Sequence, residues 1–451
     1  MDVDISIPIS VSDPQHESHL IHVLKTKFPL ELLLRLTELM DTPSLLNLRL
    51  VCHDLERVTF SIFRKRFFTH RYVRYSAKSL RHLSEASLSS RLSPPTESIH
   101  FIPVPVLDDD YAAFDIGLDR DMLETAFSNL PSLRAITIRF DGAARRLFTF
   151  DVRMFRVIVA ALSRTGTTLQ ALNLDQSGGT GGGLAISGLF IPEFLRPSFY
   201  PPLQGIKHLS LSLFPDHQPR DTLLTQFLAI FRNLEFLRLN LDRGNPHLSY
   251  RLMQSMFRPA LPNLSTVKEL QLGKMMISPE SMVRIINAFA PSLTALELFR
   301  IGLYISRETA PVDDDDDAVP RYSELAGNPQ WKYVFTQLSK NPHLAKLTRF
   351  KAGYLTEGAS RRHVSFRAEA SEEGKEPPSV AVCEHHGSNF SKFARDVRDN
   401  VIVPPPSPTG WQGFDEEDED EDEDDDEDMD LLDGEDEDED EDSEDGEDEG
   451  A

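Results

Sequence analysis

The sequence contains little cysteine and lacks a long apolar run. Its two cysteines, Cys52 and Cys383, could form at most one disulfide, and they lie in unrelated contexts, so we expect a reducing compartment. No run of about 18 apolar residues is present to span a bilayer, and the first residues lack the basic and apolar segments of a secretory signal. We therefore expect a cytoplasmic or nuclear protein that makes no contact with a membrane.

Short catalytic motifs are also missing from the sequence. It contains no Gly-x-Ser-x-Gly, His-Glu-x-x-His or Cys-x-x-Cys pattern. The glycine-rich segment 177–183 follows a predicted strand, but no Gly-Lys-Ser or Gly-Lys-Thr closes it, so we interpret it as a flexible loop. Cys383, Glu384, His385 and His386 could each bind a metal, yet adjacent residues cannot all point at one ion, and no second cluster completes the ligands. We expect no catalytic residue, no cofactor and no bound metal, and hence no enzyme.

Negative charge is distributed unevenly along the chain. The net charge is −26, with 73 acidic against 47 basic residues, and 29 of the acidic residues lie between Asp415 and the C-terminus. The part of the chain before Asp415 is close to neutral, so nucleic acid is not an expected partner. The segment 415–451 repels itself and has few apolar residues to bury, which predicts disorder. The shorter run Asp313–Asp317 is interpreted as a solvated insertion.

Deleting residues 415–451 is expected to leave the melting temperature nearly unchanged, because the deletion removes 29 negative charges but very little apolar surface. We favour a segment that screens basic residues such as those in Arg64–Arg74, so the shortened chain is expected to bind polyanions more strongly than the intact chain does. Alternatively, the segment steers a basic target toward the repeats, an effect that should weaken as salt increases. Thermal melts and salt-dependent binding of the shortened chain test both statements. A large loss of thermal stability would contradict the prediction that this segment is disordered.

Three short helices are predicted over residues 27–70, after a disordered lead at 1–26. Pro29 suits the first turn of a helix, and apolar residues then recur at helical spacing up to Met40. A capping residue and a first-turn proline at 41–43 begin a second helix, and a third apolar series follows. Such a unit is too small for a large core of its own, so it is expected to pack on a neighbour.

A basic and aromatic stretch, Arg64–Arg74, ends this unit. Basic residues interleaved with aromatic ones can bind nucleic acid or act as an import signal. We favour a simpler interpretation, a helix with Phe63 and Phe67 facing inward and the charges facing water.

Two segments of the N-terminal unit resemble a known module. Residues 28–33 contain the opening Pro-x-Glu-Leu, and residues 48–52 read Leu-Arg-x-Val-Cys. Both are similar to the F-box, the small helical module that docks on the Skp-family adaptor of SCF-type ubiquitin ligases, and the match continues without a gap to about Phe68. The chain departs from the family pattern at Phe28, where leucine is usual, and at Leu55, where many members have tryptophan.

The resemblance implies a hydrophobic face that binds the adaptor and, through it, a cullin. A surplus of apolar positions in so small a unit also favours a partner-binding surface. From the residues alone, the same positions could instead be internal packing of a cap for the region that follows. By similarity, the residues that would form or support the adaptor-binding face are Pro29, Glu31, Leu32, Leu36, Leu45, Leu48, Val51 and Cys52.

One apolar pattern recurs through residues 96–353. An apolar residue is followed by two residues of any type, a second apolar residue, one residue of any type and a third apolar residue. The last two apolar positions alternate as on a strand, and helical segments such as 151–163, 221–231 and 278–290 separate the copies. The six copies are Leu133/Ile136/Ile138, Leu169/Leu172/Leu174, Ile206/Leu209/Leu211, Leu234/Leu237/Leu239, Val267/Leu270/Leu272 and Leu293/Leu296/Leu298.

Weaker copies flank this array. Ile99 and Phe101 precede it, and Leu344 and Leu347 follow it, with Arg349 at the place of the third apolar residue. The predicted class is therefore α/β, with an irregular leucine-rich-repeat-like β-α solenoid. The predicted parts are the lead (1–26), an F-box (27–70), a linker helix region (71–95), the solenoid (96–353), an irregular extension (354–414) and a disordered acidic tail (415–451).

These patterns favour a non-catalytic substrate receptor and resemble the leucine-rich-repeat class of F-box proteins, whose repeats recruit substrates. The F-box would bind the adaptor, the repeats would hold an unidentified protein target, and proximity would deliver ubiquitin. The alternative is a repeat scaffold outside the ubiquitin system, or a binder of basic proteins through the acidic tail. The candidate strand-face residues carry both charges and identify no ligand: Gln170, Asn173, Lys207, Glu235, Arg238, Lys268, Glu269 and Glu297.

Overall fold

The computed structural model of the chain has a mixed α/β fold built on one large, mostly parallel sheet, which confirms the predicted class. The predicted lead, most of the glycine-rich segment 177–183, the run Asp313–Asp317 and the predicted acidic tail lie outside the described residues. All described residues belong to one compact unit. The structure describes residues 29–93, 95–103, 114, 117–141, 148–177, 183–189, 201–214, 223–241, 264–303, 329–358, 361–367 and 379–404.

Helices begin the described chain and then alternate with strands. The helices within residues 77–165 pack on one another in chain order, as do those within residues 279–400. No helix within the described ranges is long and apolar enough to cross a membrane. The helices are α1 (Leu30–Leu39), α2 (Thr42–Val51), α3 (His53–Phe68), α4 (Ala77–Leu88), α5 (Leu118–Ser128), α6 (Phe148–Thr165), α7 (Pro201–Gln204), α8 (Leu223–Leu228), α9 (Pro279–Phe289), α10 (Gln330–Lys340) and α11 (Phe390–Asn400).

Most strands belong to the large sheet, and the shorter ones form two small sheets. In chain order they are β1 (His70–Arg74), β2 (Ser98–Ile102), β3 (Ala135–Asp141), β4 (Ala171–Ser177), β5 (Leu184–Ala185), β6 (His208–Phe214), β7 (Phe236–Leu241), β8 (Glu269–Gly273), β9 (Met276–Ile277), β10 (Ala295–Phe299), β11 (Gly302–Leu303), β12 (Arg349–Gly353), β13 (Thr356–Glu357), β14 (Arg362–His363), β15 (Ser365–Arg367), β16 (Ser379–Val380), β17 (Val382–His386) and β18 (Val401–Ile402).

The strands of the large sheet lie side by side in chain order. The path β1-β2-β3-β4-β6-β7-β8-β10-β12 is parallel, β17 joins it antiparallel, and β5 pairs with β6. Because each parallel strand neighbours the next one along the chain, every crossover runs in the same direction, which places the connecting helices on one face. The sheet is open, with β1 and β17 at its two edges.

The apolar positions of the predicted repeat form continuous rows across the sheet. The middle residues of the copies pair strand by strand from Ile99 to Leu296, and the last residues pair from Phe101 to Leu298. The first residue of every copy is buried beneath these rows. Each fully buried leucine contributes about 1.5–3 kcal/mol, so these rows are the main source of stability in the sheet.

The last three parallel strands end in the same way. A residue with positive φ follows each of them, namely Lys274 after β8, Arg300 after β10 and Tyr354 after β12. The short strands β9, β11 and β13 come next, each at the same distance along the chain, and they pair in parallel with one another. This turn could not be predicted from the residues, because lysine, arginine and tyrosine have no preference for a left-handed backbone conformation.

The residues predicted to form the last copy of the repeat are wrong, because this copy begins three residues later in the chain. Phe350 and Ala352 pair with the two buried leucines of β10, so this copy consists of Leu347, Phe350 and Ala352. Leu344 lies in a short 3-10 turn before the strand, and Arg349 is exposed. Leu344 and Leu347 have the repeat spacing only because both pack inward from adjoining turns.

The large sheet extends beyond the predicted range 96–353 at both ends. β1 follows directly after α3 and lies mostly in the region predicted as a linker, and its buried Arg71 and Val73 pair with the first apolar residues of β2. β17 lies in the predicted extension 354–414 and pairs with β12. Neither strand carries the leucine pattern, so neither could be predicted from apolar periodicity.

Candidate docking surface

The helices α1, α2 and α3 form the N-terminal bundle, in which α1 and α2 both pack on α3. α1 begins directly after Pro29, whose fixed φ suits a helix start. Asp41 caps α2, because its Oδ1 accepts a hydrogen bond of 2.9 Å from the backbone N–H of Ser44. Hydrogen bonding from Ser44 lowers the pKa of the Asp41 carboxyl. The cap and first-turn proline predicted at 41–43 are therefore confirmed.

The interior of the bundle is small. Its buried apolar side chains are Leu33, Leu45 and Leu55. Two threonines are also buried, and each hydroxyl donates to a backbone carbonyl of the preceding turn, at 2.8 Å for Thr37 and 2.6 Å for Thr59. With about 1.5–3 kcal/mol for each buried leucine, this interior gives little stability by itself.

Helix α1 is apolar on two sides. Leu33 and Thr37 face the bundle, whereas Leu32, Leu36 and Leu39 lie together on a second side, within about 60° of one another at 3.6 residues per turn. These three leucines expose between 48% and 86% of their surface. A helix that is apolar beyond its core-facing side is typical of one that a partner buries. The polar residues of α1 occupy the remaining sector and are Glu31, Arg35 and Glu38.

Helix α2 carries a second exposed apolar strip. Leu46 and Leu50 lie one turn apart, and Val51 ends the helix. Scattered exposed leucines are ordinary, but several on two adjoining short helices form a concentration of apolar surface that indicates a binding site. We call the following side chains the exposed leucine set: Leu32, Leu36, Leu39, Leu46, Leu50 and Val51.

The structure places the predicted adaptor-binding residues in three environments. Pro29, Glu31, Leu32, Leu36 and Val51 are exposed, Leu48 and Cys52 are half-buried, and Leu45 is fully buried. Leu45 therefore supports the surface from inside and cannot itself touch a partner. The sequence pattern did not single out three exposed members of the leucine set, Leu39, Leu46 and Leu50. Leu39 lies three residues from the predicted Leu36, on the same side of α1, whereas Leu46 and Leu50 lie one turn from each other and next to predicted positions.

Arg49 attaches α2 to α3. Its guanidinium lies 3.5 Å from the centre of the Phe63 ring, and its Nη2 donates to Glu56 Oε1 at 3.1 Å. Glu56 also lies 3.5 Å from Arg91, which follows α4. A cation–π contact and an ion pair on a largely buried arginine hold the helix in one orientation. This contact orients the side of α2 that carries Leu46 and Leu50.

Arg66 of α3 binds the end of α1. Its Nη1 donates to the carbonyl of Met40 at 2.6 Å, and its Nη2 donates to the carbonyl of Glu38 at 3.2 Å. Both carbonyls lack partners inside the helix because they belong to its last turn. A cation at this end of α1 also interacts favourably with the helix dipole.

Replacing Arg66 with alanine is expected to lower the free energy of unfolding by about 1–3 kcal/mol, because two hydrogen bonds from a charged donor are lost. Urea unfolding of the two chains measures the difference. Lys65→Ala is the matched control, since Lys65 is an exposed basic residue of the same helix. Equal effects of the two substitutions would show that Arg66 does not hold α1.

The outer face of the sheet carries polar side chains of both signs. The predicted strand-face residues that do lie on strands are Asn173, Arg238, Glu269 and Glu297. In these copies the strand begins after the first polar position, so the other four residues each lie one residue before a strand. They are Gln170, Lys207, Glu235 and Lys268. At this rim, hydrogen bonds from Lys268 at 2.7 Å and Lys207 lower the pKa of Glu235.

A groove crosses the outer face near its far edge, over β8, β10, β12 and β17. Two ion pairs join strands in this groove, one between β12 and β8 across the intervening β10 and one between the neighbours β12 and β17. Arg349 Nη2 lies 2.6 Å from Glu269 Oε2, and Lys351 Nζ lies 2.7 Å from Glu384 Oε1. Glu297 and Gln271 also line the groove, which therefore offers both hydrogen-bond donors and acceptors.

The residues suspected of metal binding lie on β17 and point to alternate faces of the strand. Cys383 is half-buried, and burial raises the pKa of its thiol to about 12, so the thiol is protonated at neutral pH. Within the described residues, no group of three or more His, Cys, Asp or Glu side chains is arranged to hold a metal ion.

Comparison with protein-family models and with curated proteins finds no match to this chain. The exposed leucine set and the polar face of the sheet are therefore the observations from which a function can be inferred.

Proposed function

We propose that the chain is the substrate receptor of an SCF-type ubiquitin ligase, with its N-terminal bundle docked on a Skp-family adaptor and its sheet bound to a protein target. The exposed leucine set carries the proposal. The bundle buries three leucines and exposes seven large apolar side chains on α1 and α2, namely Leu30 and the exposed leucine set, so more of its apolar side chains are available to a partner than are buried inside it. The resemblance at 28–33 and 48–52 supports the adaptor as that partner.

The finer fold assignment belongs to the same proposal. We assign the N-terminal bundle as an F-box and the large sheet with its helices as a leucine-rich-repeat-like solenoid. Three observations support the solenoid: strands in chain order, apolar rows in register, and the identical turn after β8, β10 and β12. Each unit then contacts only its neighbours, as in repeat proteins.

The link between the N-terminal bundle and the sheet suits the delivery of ubiquitin to a target that the sheet holds close to the ligase. α3 ends at Phe68, and the carbonyl of the next residue, Thr69, accepts hydrogen bonds from the backbone N–H groups of Glu97 at 2.9 Å and Ser98 at 3.0 Å. β2 therefore meets the end of α3 directly. A stiff connection holds a bound target at a fixed place relative to the adaptor, which raises its effective concentration at the ligase. In this proposal the chain itself contributes no catalytic residue.

The target would bind the outer face of the sheet. The crossover helices cover the inner face, so the polar outer face is open to a partner. Its mixed charges and the groove over β8, β10, β12 and β17 favour a protein surface with both charges over a uniformly charged polymer.

Affinity purification of the tagged full chain, followed by quantitative mass spectrometry, tests the proposal. We expect an adaptor and a cullin in amounts comparable to the chain, and their loss from a chain lacking residues 28–68. Purification of basic proteins that leave with added salt, without adaptor or cullin, would contradict the proposal and support a binder that acts through its acidic segment.

A further inference from the structure

A cleft of about 540 Å³ opens beside β1. β1 is the last of the described strands at this end of the sheet, so none of them continues the apolar rows past it. The last residues of α3 and one side of α4 line the cleft together with β1. Small molecules commonly bind in clefts of about 300–1,000 Å³, and this volume lies within that range.

The two faces of β1 contribute differently to the cleft. Arg71 and Val73 are buried and point to the side that packs on the helices. The other three residues of the strand are exposed and point to the opposite face. The helix side of the cleft therefore receives one cation from β1, the guanidinium of Arg71, and Arg74 lies on the other side.

Arg71 is a buried cation without a counter-charge. It is only 9% exposed, and it forms no ion pair with any residue that the structure describes. Its guanidinium lies 4.9 Å from the centre of the Phe68 ring and donates through Nη2 to the carbonyl of Leu92 at 3.2 Å. Burial lowers the pKa of Arg71, because the charged form loses hydration. Buried guanidinium groups are ordinarily paired with an acid, so a ligand can supply the negative charge that is missing here.

Two nitrogens of Arg71 have no acceptor. Nε has no hydrogen-bond partner among the described residues and is enclosed by protein atoms. Nη1 has no described partner either, but it is not enclosed, so it is the donor that a ligand in the cleft can reach. Because the positive charge is delocalised over the guanidinium, a carboxylate at Nη1 would neutralise the whole group.

The helix side of the cleft offers an anion one unpaired buried charge. Arg66 also lines the cleft, but its two hydrogen bonds to carbonyls hold it at the end of α1. His82 of α4 is exposed. None of the described residues that line the cleft is an Asp or Glu. A single positive charge matches a carboxylate, whereas a phosphate monoester carries a charge of about −1.5 to −2 at neutral pH.

The helices contribute apolar side chains to the cleft. Phe67 and Phe68 line it from α3, and Leu83 and Ala86 line it from α4. Val73 adds a further apolar side chain from the same face of β1 as Arg71. A ligand that removes these groups from water gains binding energy from the hydrophobic effect. The ligand that suits this cleft therefore combines a carboxylate with an apolar body.

We propose that this cleft binds a small-molecule carboxylate with a compact apolar or aromatic body. The carboxylate pairs with Arg71, and the body lies between the end of α3 and α4. Three observations favour this ligand: a cleft of suitable volume, a buried arginine without an acid, and apolar side chains from two helices. The exposed leucine set lies on α1 and α2, so this binding goes beyond the proposed function and does not depend on an adaptor.

Isothermal titration calorimetry with the full chain and naphthoate tests the proposal. We expect saturable binding that weakens about tenfold or more in Arg71→Met, because this variant removes the cation and keeps an unbranched side chain. Thermal melts should show that the variant folds, since an apolar group replaces a buried charge without a partner. Arg81→Met is the matched control, because Arg81 is an exposed arginine of α4 that does not line the cleft, and its binding should equal that of the parent chain.

A second variant tests the position of the ligand without changing any charge. Ala86 is half-buried and lines the cleft, so Ala86→Phe places a ring in the volume that the apolar body would occupy. We expect naphthoate binding to weaken about tenfold or more. If Arg71→Met fails to fold, the binding measured for Ala86→Phe decides the proposal.

Further probes separate the contributions of charge and apolar body. Naphthamide has the body without the charge, and acetate has the charge without the body, so each should bind at least about tenfold more weakly than naphthoate. Three outcomes overturn the proposal outright: naphthoate does not bind, naphthamide binds equally well, or Arg81→Met weakens binding as much as Arg71→Met. It is also overturned if naphthyl phosphate or a glutamate-rich peptide binds about tenfold more tightly than naphthoate.

Discussion

Replacing Leu32 and Leu36 with aspartate is expected to abolish capture of a Skp-family adaptor while the chain stays folded. Both side chains lie one helical turn apart on the exposed side of α1. Burying each leucine against a partner contributes about 1.5–3 kcal/mol, so losing both weakens binding by about 100-fold or more. Aspartate adds a charge that a dry interface cannot solvate, which increases the loss. Quantitative pull-down with purified adaptor measures the effect.

The effect on folding is expected to be small. Leu32 lies in the first turn of α1, where an acidic residue interacts favourably with the helix dipole, and Leu36 lies outside the bundle interior. The variant should therefore melt close to the parent chain. Asn287→Asp with Ala288→Asp is the matched control, because it adds two negative charges to an exposed position of α9 and should leave capture intact. Undiminished capture by the Leu32 and Leu36 variant would remove the basis for the F-box proposal.

Replacing Phe350 with alanine is expected to lower the free energy of unfolding by about 3–5 kcal/mol, whereas Arg349→Ala should cost less than about 1 kcal/mol. Phe350 is fully buried, and its ring lies 6.2 Å from that of Phe335, 5.3 Å from Phe390 and 5.8 Å from Phe393. Arg349 is exposed, and its ion pair with Glu269 is at the surface. Comparing the two substitutions therefore tests which of the two adjacent residues occupies an apolar position of the last repeat copy.

Trp331 reports this transition. It is fully buried in α10, its ring lies 5.9 Å from that of Phe335, and its Nε1 donates to the carbonyl of Thr356 at 3.0 Å. The chain has two tryptophans, and Trp411, outside the described residues, can be replaced by phenylalanine so that fluorescence follows this end of the sheet alone. Comparable decreases in the free energy of unfolding for Phe350→Ala and Arg349→Ala would mean that β12 does not have the register described above.

Much of the fold could be predicted because apolar periodicity is a local property. The helices predicted at 151–163 and 278–290 are confirmed as α6 and α9, and Ser278 caps α9 through a hydrogen bond of 3.1 Å to the N–H of Ser281. The six repeat copies all lie on neighbouring strands with their leucines buried. A leucine every second residue can be buried only on one face of a strand, so the pattern alone indicates the pairing.

Elements without that pattern could not be predicted. His70–Arg74 has only one aliphatic residue, and its strand forms because the end of α3 delivers it to the edge of β2. β17 joins the sheet antiparallel after a long excursion of the chain, which no local pattern records. The residues that occupy the apolar positions of the last copy could be identified only from the pairing of β12 with β10, because Leu344 and Leu347 have the same spacing as true repeat positions.

The candidate site divides in the same way. The residues alone predict that the N-terminal helices have more leucine than a small core can bury, and that two of their segments resemble an F-box. The packing of the helices then places Leu45 inside and Leu39, Leu46 and Leu50 outside, because the exposure of a leucine depends on which neighbouring helix covers it. The cleft lined by residues of α3, β1 and α4 likewise follows from strand order, because β1 is the last of the described strands at that end of the sheet.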